Sequence, residues 1–257
     1  MSERLIYGIH AVTSHLKVYA QSINCLYCIK GKHNTQKLQS LLNSAKQKNI
    51  PTKLMSSAQF AQFLDSYGYA NTVVHQGVAA ISDAKIKLYQ EADLVTLLQQ
   101  IKQTPFILVL DSIQDPHNMG ACIRTADAAG VDFIIFPKDK SVGINAVVHK
   151  VSCGATQNVR LIAVTNLVRA LKVLQKQGIW LVGLASDAEA SLYDLDLTIP
   201  VALIMGNEGS GLRFSTRKTC DYLAQLPMHG EVASLNISVA AGISMYELRR
   251  QRQSVSQ

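Results

Sequence analysis

Six short apolar segments after residue 104 limit most strongly what this chain can fold into. Each segment has four or five residues, and a longer stretch with helical spacing of its apolar residues separates most of them from the next. Strands that alternate with helices pair in parallel, and helices cover both faces of the sheet. The sequence therefore predicts a parallel α/β sheet whose strands are Phe106–Leu110, Phe133–Phe136, Leu161–Val164, Trp180–Leu184, Val201–Met205 and Leu223–Leu226.

The preceding part of the chain has the pattern of a smaller α/β domain. Helical stretches are predicted at 8–17, 35–48 and 58–67, and strand-like stretches at 23–29, 52–55 and 78–81. A charged, Gln-rich stretch follows, and Pro105 then opens the first apolar strand. We therefore expect three parts: a small domain at 1–83, a linker at 84–104 and a larger domain at 105–257.

Positive charge is concentrated in the first domain. Residues 1–85 contain nine Lys or Arg against three Asp or Glu, which gives +6 of the total formal charge of +7. Such a surface attracts phosphate, although a solvated lysine-rich face accounts for a charge run equally well. The cluster comprises Lys30, Lys32, His33, Lys37, Lys46, Lys48 and Lys53.

Several classes of protein are disfavoured by the sequence. The longest apolar runs are far shorter than the ~20 residues that cross a bilayer, and the first residues lack a signal-peptide core. We therefore expect a cytoplasmic protein without membrane association. The Cys25-x-x-Cys28 pair lies in a predicted strand with no second pair nearby, so we expect no metal site, and we expect all five cysteines to be buried and reduced.

Three loops of small and polar residues point to a functional site. They are Asp115–Gly120, Gly206–Gly211 and Leu226–Ala240, and each follows an apolar strand. Loops at the carboxyl ends of parallel strands line the ligand crevice of an α/β sheet, so the three should meet in one site. Neither the dinucleotide-binding glycine fingerprint nor the Gly-Lys-Ser/Thr of a triphosphate-binding loop is present in them.

Together with the helix that carries Arg124, these loops resemble the three motifs of the SpoU family of RNA ribose 2′-O-methyltransferases. The resemblance covers about Pro105 to Arg250, and Tyr7–Val12 and His75–Val78 resemble the family's RNA-binding domain. It implies a first domain similar to ribosomal protein L30e and a trefoil knot at the end of the second. It also implies S-adenosylmethionine as cofactor and, over the full length, a guanosine in the peptidyl-transferase region of 23S rRNA, free or in a ribosomal precursor, as substrate.

The resemblance further implies the roles of individual residues. Arg124 would orient an RNA phosphate and stabilise the ribose alkoxide, because a guanidinium stays protonated and is a poor base. Asn118, Glu208 and Asn236 would complete the catalytic set, although a turn residue, a loop brace and a helix cap are the structural alternatives. Ser234 is expected to cap the last helix. The cofactor would contact the backbone of Gly206, Leu226, Met228 and Leu235.

Two classes of function remain open. One is an enzyme acting on ribosomal RNA, or on transfer RNA as related enzymes do; the other is a non-catalytic RNA-binding or assembly protein. The intact polar residues favour the enzyme, and the basic first domain, which the shorter transfer RNA enzymes of the family lack, favours ribosomal RNA. The apolar helix at 238–250 and the resemblance together imply a homodimer through the catalytic domain.

Overall fold

The computed structural model describes residues 4–31, 36–69, 74–83 and 87–255. The chain divides into two compact units, Met1–Ile86 and Lys87–Gln257. Lys32 and His33 of the basic cluster, and residues 84–86 of the expected linker, lie outside the described residues.

The first unit has a four-stranded sheet in the order β1-β4-β2-β3, in which only the β2–β3 pair is parallel. Helices cover both faces, so that residues three apart in β2 enter different cores: Cys28 packs with Leu16 and Leu38, and Cys25 packs with Phe60. The elements are β1 (Arg4–Tyr7), α1 (Ile9–Tyr19), β2 (Ile23–Ile29), α2 (Gln36–Gln47), β3 (Thr52–Met55), α3 (Ser57–Asp65) and β4 (Val78–Ser82).

The second unit is built on an eight-stranded sheet in the order β10-β12-β9-β11-β6-β7-β8-β5, and every pair in it is parallel. The central strands β6 and β11 are buried along their whole length, as a sheet covered on both faces requires. The elements are β5 (Leu88–Gln90), α4 (Leu94–Gln99), β6 (Phe106–Leu110), α5 (Pro116–Ala129), β7 (Phe133–Pro137), α6 (Ala146–Val151), β8 (Arg160–Val164), α7 (Leu167–Lys176), β9 (Trp180–Leu184), β10 (Ala190–Ser191), β11 (Val201–Met205), α8 (Phe214–Thr219), β12 (Tyr222–Gln225) and α9 (Ile237–Val255).

The described part of the expected linker, residues 87–104, is packed secondary structure and not a linker. Strand β5 pairs with β8, and Leu94, Leu97 and Leu98 of α4 are buried in the core of the second unit. Residues 87–104 therefore belong to the second unit as an edge strand and a packed helix.

Cys153 also departs from expectation, because it is exposed, whereas Cys25, Cys28 and Cys122 are buried. It follows the end of α6 in a left-handed turn with φ 53°, outside the packed elements. Within the described ranges, no group of three or more His, Cys, Asp or Glu side chains is placed to hold a metal ion. No helix in the described part of the chain combines the length and apolarity needed to cross a membrane.

Two arginines attach the last helix, α9, to the rest of the second unit. Arg249 donates to the carbonyls of Ala129 and Gly130 at the carboxyl end of α5. Arg252 donates to four carbonyls from two other segments, Thr104, Pro105, Leu197 and Ile199, at 2.7 to 3.2 Å. Burial lowers the pKa of Arg252 to about 10. The guanidinium thus joins the carboxyl-terminal helix to the segments that lead into β6 and β11.

The chain turns back on itself directly after β11. Asn207 and Gly211 exchange two backbone hydrogen bonds of 3.0 and 2.9 Å, which brings the returning chain against Gly206. A Cβ atom on Gly206 would lie 2.2 Å from the carbonyl carbon of Gly211 and 2.3 Å from the nitrogen of Leu212. Both atoms belong to the backbone and cannot rotate away, so only glycine fits at this position.

We therefore expect Gly206→Ala to lower the free energy of unfolding by about 3 kcal/mol, because the loop must separate from β11 to admit the methyl group. Gly209→Ala is the matched control, since its Cβ would meet only the Oδ1 atom of Asn207 at 3.6 Å; we expect a loss below about 1 kcal/mol. Urea denaturation followed by circular dichroism measures both. Equal stability of the two variants would contradict the close contact.

Candidate active site

A cavity of 420 Å³ opens at the carboxyl ends of β9, β11 and β12 in the second unit. Its walls include Gly206, Leu226, Met228 and Leu235, the four residues predicted to contact the cofactor, and also Glu208. The leucines are half-buried and face this cavity, so they are not part of the sheet's main core. The remaining lining is mostly small or apolar, and includes Leu184, Ala185, Met205, Leu212, Ala224, Ile237 and Ala240.

A chain of side-chain hydrogen bonds joins the three predicted loops beside this cavity. The Nδ2 group of Asn118 donates to Oε1 of Glu208, and the Nδ2 group of Asn236 donates to Oδ1 of Asn118 at 3.0 Å. Each residue comes from a different loop, and up to 118 positions separate them in sequence. The structure therefore brings three of the four predicted catalytic residues into contact.

Asn118 and Asn236 are each positioned by the beginning of a helix. Asp115 caps α5 by accepting from the backbone N–H of His117 at 2.9 Å, and Pro116 follows at the first helical position. Asn118 thus lies in the first turn of α5 and is not a turn residue before it.

Asn236 has two roles, because its Oδ1 accepts from the backbone N–H of Ser238 at 2.9 Å and from the Ser238 hydroxyl at 2.6 Å. Asn236 therefore caps α9, and the expectation that Ser234 does so is wrong: α9 begins at Ile237, too far along for Ser234 to reach its first free N–H groups.

A buried carboxylate holds two of the loops at their strand ends. Asp111 accepts from the backbone N–H of Arg213 at 3.2 Å and forms an ion pair with its Nε at 2.6 Å. The next residue, Ser112, has the left-handed φ of 64° that non-glycine residues seldom adopt. Its carbonyl accepts from Nδ2 of Asn207 at 3.2 Å. These contacts fix the loop after β6 to the loop after β11.

Gly206 has a different role from the one expected. The sequence suggested that its missing side chain lets a cofactor approach the backbone. The structure shows that the space is taken by the returning chain at Gly211 and Leu212. Gly206 still lines the cavity, but its lack of a side chain is required by the fold.

Arg124 is not part of the hydrogen-bonded group. It lies six residues after Asn118 on α5, about 9 Å further along the helix axis, and its side chain is exposed. Within the described residues, no hydrogen bond or ion pair is formed by its guanidinium. The guanidinium of Arg124 is thus available to bind a group other than Asn118, Glu208 and Asn236.

The sequence prediction missed one wall of the cavity. Asp187, in the loop after β9, and Arg217, on α8, both line it and form an ion pair of 2.7 Å. The Arg217 hydrogen bond lowers the pKa of Asp187 below its usual value. The position of Asp187 after a strand's carboxyl end was a usable signal, whereas nothing in the sequence places the Arg217 side chain beside it.

Solved structures share this architecture along nearly the whole chain. The SpoU methyltransferase AviRb from Streptomyces viridochromogenes, in complex with AdoMet, matches with a TM-score of 0.76 and 22% identity over 98% of this chain and 91% of that one. The match confirms the predicted fold class, an α/β domain followed by a parallel-sheet α/β domain with a trefoil knot. The A. aeolicus TrmH/SpoU tRNA modifying enzyme, with a TM-score of 0.56 and 30% identity, matches 65% of this chain and 85% of that one.

Curated relatives are similar over the full length. The 23S rRNA (guanosine-2′-O-)-methyltransferase RlmB of Pseudomonas aeruginosa is 44% identical over 96% of each chain. The protein of the same name from Photorhabdus laumondii is 46% identical over 99% of this chain and 100% of its own.

Two family models cover the two units. The model of the RNA 2′-O ribose methyltransferase substrate-binding domain matches residues 5–87, and the model of the SpoU rRNA methylase family matches residues 105–246. The second match spans the cavity, the hydrogen-bonded residues Asn118, Glu208 and Asn236, and Arg124. With the full-length similarity to its relatives, it shows that this chain belongs to the SpoU rRNA methylase family.

Proposed function

We propose that this protein transfers a methyl group from S-adenosylmethionine to the ribose 2′-hydroxyl of a guanosine in 23S rRNA. The observation that carries the proposal is the hydrogen-bonded group Asn118–Glu208–Asn236, which reaches the cavity through Glu208. An RNA-binding or assembly protein without catalysis has no need to hold three polar side chains from separate loops in one group beside a cavity.

The cavity suits S-adenosylmethionine in size and charge. Its 420 Å³ lies within the range of about 300 to 1,000 Å³ for small-molecule sites. The ionisable residues among its lining are two carboxylates, Asp187 and Glu208, and one guanidinium, Arg217, so the walls carry a net negative charge. That charge complements a cofactor with a positively charged sulfonium, whose methyl group is electrophilic. The apolar walls at Leu226 and Leu235 suit an adenine ring.

The polar residues act by holding one another in position. Glu208 accepts from Asn118, so the amide of Asn118 is held in one orientation, and Asn118 in turn accepts from Asn236. Such a network positions side chains for a substrate hydroxyl without rearrangement during the reaction. We assign Asn118, Glu208 and Asn236 to this positioning of the ribose.

Arg124 has a separate role at the RNA. Its guanidinium stays protonated, and it can bind a phosphate through two parallel hydrogen bonds. From that position its charge stabilises the negative charge that develops on the 2′-oxygen as its proton passes to solvent water. Since the 2′-oxygen attacks the methyl carbon in line with the departing sulfur, holding the neighbouring phosphate also sets the angle of attack.

Ribosomal RNA is the substrate class that the first unit favours. The tRNA-modifying relative matches only 65% of this chain, whereas the 23S rRNA enzymes match its full length. The described lysines of the basic cluster, namely Lys30, Lys37, Lys46, Lys48 and Lys53, are all exposed and can bind phosphates. We assign RNA recognition to residues 1–83 and catalysis to residues 105–257, and since the substrate is ribosomal RNA, we place the enzyme in the cytoplasm.

The test incubates the purified protein with labelled S-adenosylmethionine and 23S rRNA, and maps the methylated riboses. We expect Arg124→Ala to lower the transfer rate at least about 100-fold, because it removes charge stabilisation from the transition state. Calorimetry should show that this variant binds the cofactor as the unchanged protein does.

Arg169→Ala is the control, because Arg169 is an exposed arginine whose partner is Glu91, away from the cavity. Loss of cofactor binding in Arg124→Ala would disprove the role assigned to Arg124. Absence of any methylated ribose with the unchanged protein would disprove the proposed function.

A homodimer through α9 accounts for an apolar face that this helix leaves exposed. One face, with Ala241, Met245 and Leu248, is fully buried within its own chain. The other face exposes Val239, Ile243 and Tyr246, which helical spacing places on one stripe. An apolar stripe of this kind is typical of an interface. We propose that a second copy covers it and that Arg124 acts at the partner's cavity.

The dimer can be checked by mass measurement in solution. We expect a dimer at micromolar concentration that buries more than about 1,000 Å² in total, as stable interfaces do. Tyr246→Glu should shift the protein to the monomer, because the charge is not solvated in an apolar interface. Leu54→Glu, at an exposed apolar residue of the first unit, should leave the mass unchanged. A monomer with full activity would contradict the proposed dimer.

Mixing two inactive variants decides whether the site is shared. Arg124→Ala lacks the arginine, and Leu235→Arg fills the cavity with a cationic side chain. If Arg124 serves the partner's cavity, a mixed dimer has one complete site, and random mixing restores about a quarter of full activity. If each chain completes its own site, the mixture stays inactive and the shared site is wrong.

A further inference from the structure

An ion pair on the cavity wall contributes to the charge of the cavity but has no ligand group assigned to it above. Asp187 lies in the short loop after β9, where Ala185 donates to Ala224 at 2.9 Å. Arg217 lies one helical turn after Arg213 on α8. Both residues line the cavity, and among the described residues they are the only oppositely charged lining residues that form an ion pair.

The pair has unused hydrogen-bonding capacity. Both carboxylate oxygens of Asp187 accept from one atom, Nη1 of Arg217, at 2.7 and 3.0 Å. Among the described residues, neither Nε nor Nη2 of Arg217 has a hydrogen-bond acceptor. A carboxylate can accept about four hydrogen bonds, so Asp187 also has room for another donor.

Stability does not account for the pair. The side chain of Asp187 is 68% exposed and the side chain of Arg217 is 37% exposed. Exposed ion pairs typically contribute about 0 to 1 kcal/mol. On the same side of the molecule, Arg213 holds the fully buried carboxylate of Asp111 and supplies the structural contact between β6 and the loop before α8. Arg217 is not needed for that contact.

A carboxylate and a guanidinium side by side are complementary to a zwitterion. The amino-acid end of S-adenosylmethionine carries an ammonium and a carboxylate on one carbon. The ammonium can donate to the free lone pairs of Asp187, and the carboxylate can accept two parallel N–H bonds from Arg217. The other described residues of the cavity wall are mostly apolar or uncharged, and none of them is a second cation for that carboxylate.

We propose that Asp187 and Arg217 bind the amino-acid end of the cofactor, Asp187 through its ammonium and Arg217 through its carboxylate. The proposal rests on the proposed function, because it assumes that the cavity holds S-adenosylmethionine. It assigns the nucleoside to the apolar walls and the charged end to this pair. The two charged residues then distinguish the cofactor from nucleosides that lack an amino acid.

The test is calorimetric and uses the full-length protein with three ligands. S-adenosylhomocysteine has both the ammonium and the carboxylate, and 5′-methylthioadenosine has neither. Decarboxylated S-adenosylmethionine has the ammonium without the carboxylate, and it also carries a sulfonium, so each ligand is compared only with itself across the variants. We expect Arg217→Gln to raise the Kd of S-adenosylhomocysteine about tenfold and to change the Kd of the other two ligands by less than about twofold.

Asp187→Asn separates the two roles. We expect it to raise the Kd of S-adenosylhomocysteine and of decarboxylated S-adenosylmethionine about tenfold each, with 5′-methylthioadenosine again unchanged. Unchanged binding of 5′-methylthioadenosine also shows that the cavity of each variant is intact. Arg169→Gln breaks the exposed Arg169–Glu91 pair, which lies outside the cavity lining, and should leave all three Kd values unchanged.

Three results would overturn the inference. Equal weakening of all three ligands would mean that the pair only braces the cavity wall or binds the ribose. Unchanged Kd values for S-adenosylhomocysteine in both variants would mean that the pair does not touch the ligand. If the unchanged protein binds neither S-adenosylmethionine nor S-adenosylhomocysteine, the proposed function fails together with this inference.

Discussion

The close contact between Gly206 and the returning chain is the constraint on which the site depends. Because no side chain separates them, the backbone at Gly211 and Leu212 lies directly against the end of β11. That position fixes Glu208, which reaches Asn118, and it also sets where α8 begins. One short loop after β11 therefore positions the cavity wall, the hydrogen bonds of Glu208 and the start of α8. If the loop moves away from β11, all three are displaced together.

Much of the fold follows from the apolar pattern. Phe106–Leu110 and Val201–Met205 were predicted with the bounds that they have, because a fully buried parallel strand is a continuous apolar run between polar loops. Leu88–Gln90 and Ala190–Ser191 were missed, since strands of three and two residues show no periodicity. The trefoil knot came only from the family resemblance, because hydrophobic periodicity is local and does not record how the chain passes through its own loop.

The candidate site was predictable to a different extent at each residue. Sheet topology predicts that loops after parallel strands meet. The contact between Asn118 and Asn236 also depends on where two helices begin, so the resemblance to the family motifs predicted these residues better than the apolar pattern did. The ion pair of Arg217 with Asp187 was not predictable, because it depends on how the loop before α8 positions that helix. The exposed position of Arg124, apart from the other three residues, could not be predicted either, because its position on α5 in the sequence does not show which side chains it will meet.

The attachment of α9 by Arg252 has a consequence for how the protein acquires its site during synthesis. Thr104, whose carbonyl accepts from Arg252, is synthesised 148 residues before that arginine. The same helix supplies Ile237 and Ala240 to the cavity, and its cap, Asn236, completes the polar chain. Because Asn236, Ile237 and Ala240 all follow β12 in the sequence, this part of the cavity wall and the contact with Asn118 are supplied only by residues synthesised after the whole sheet.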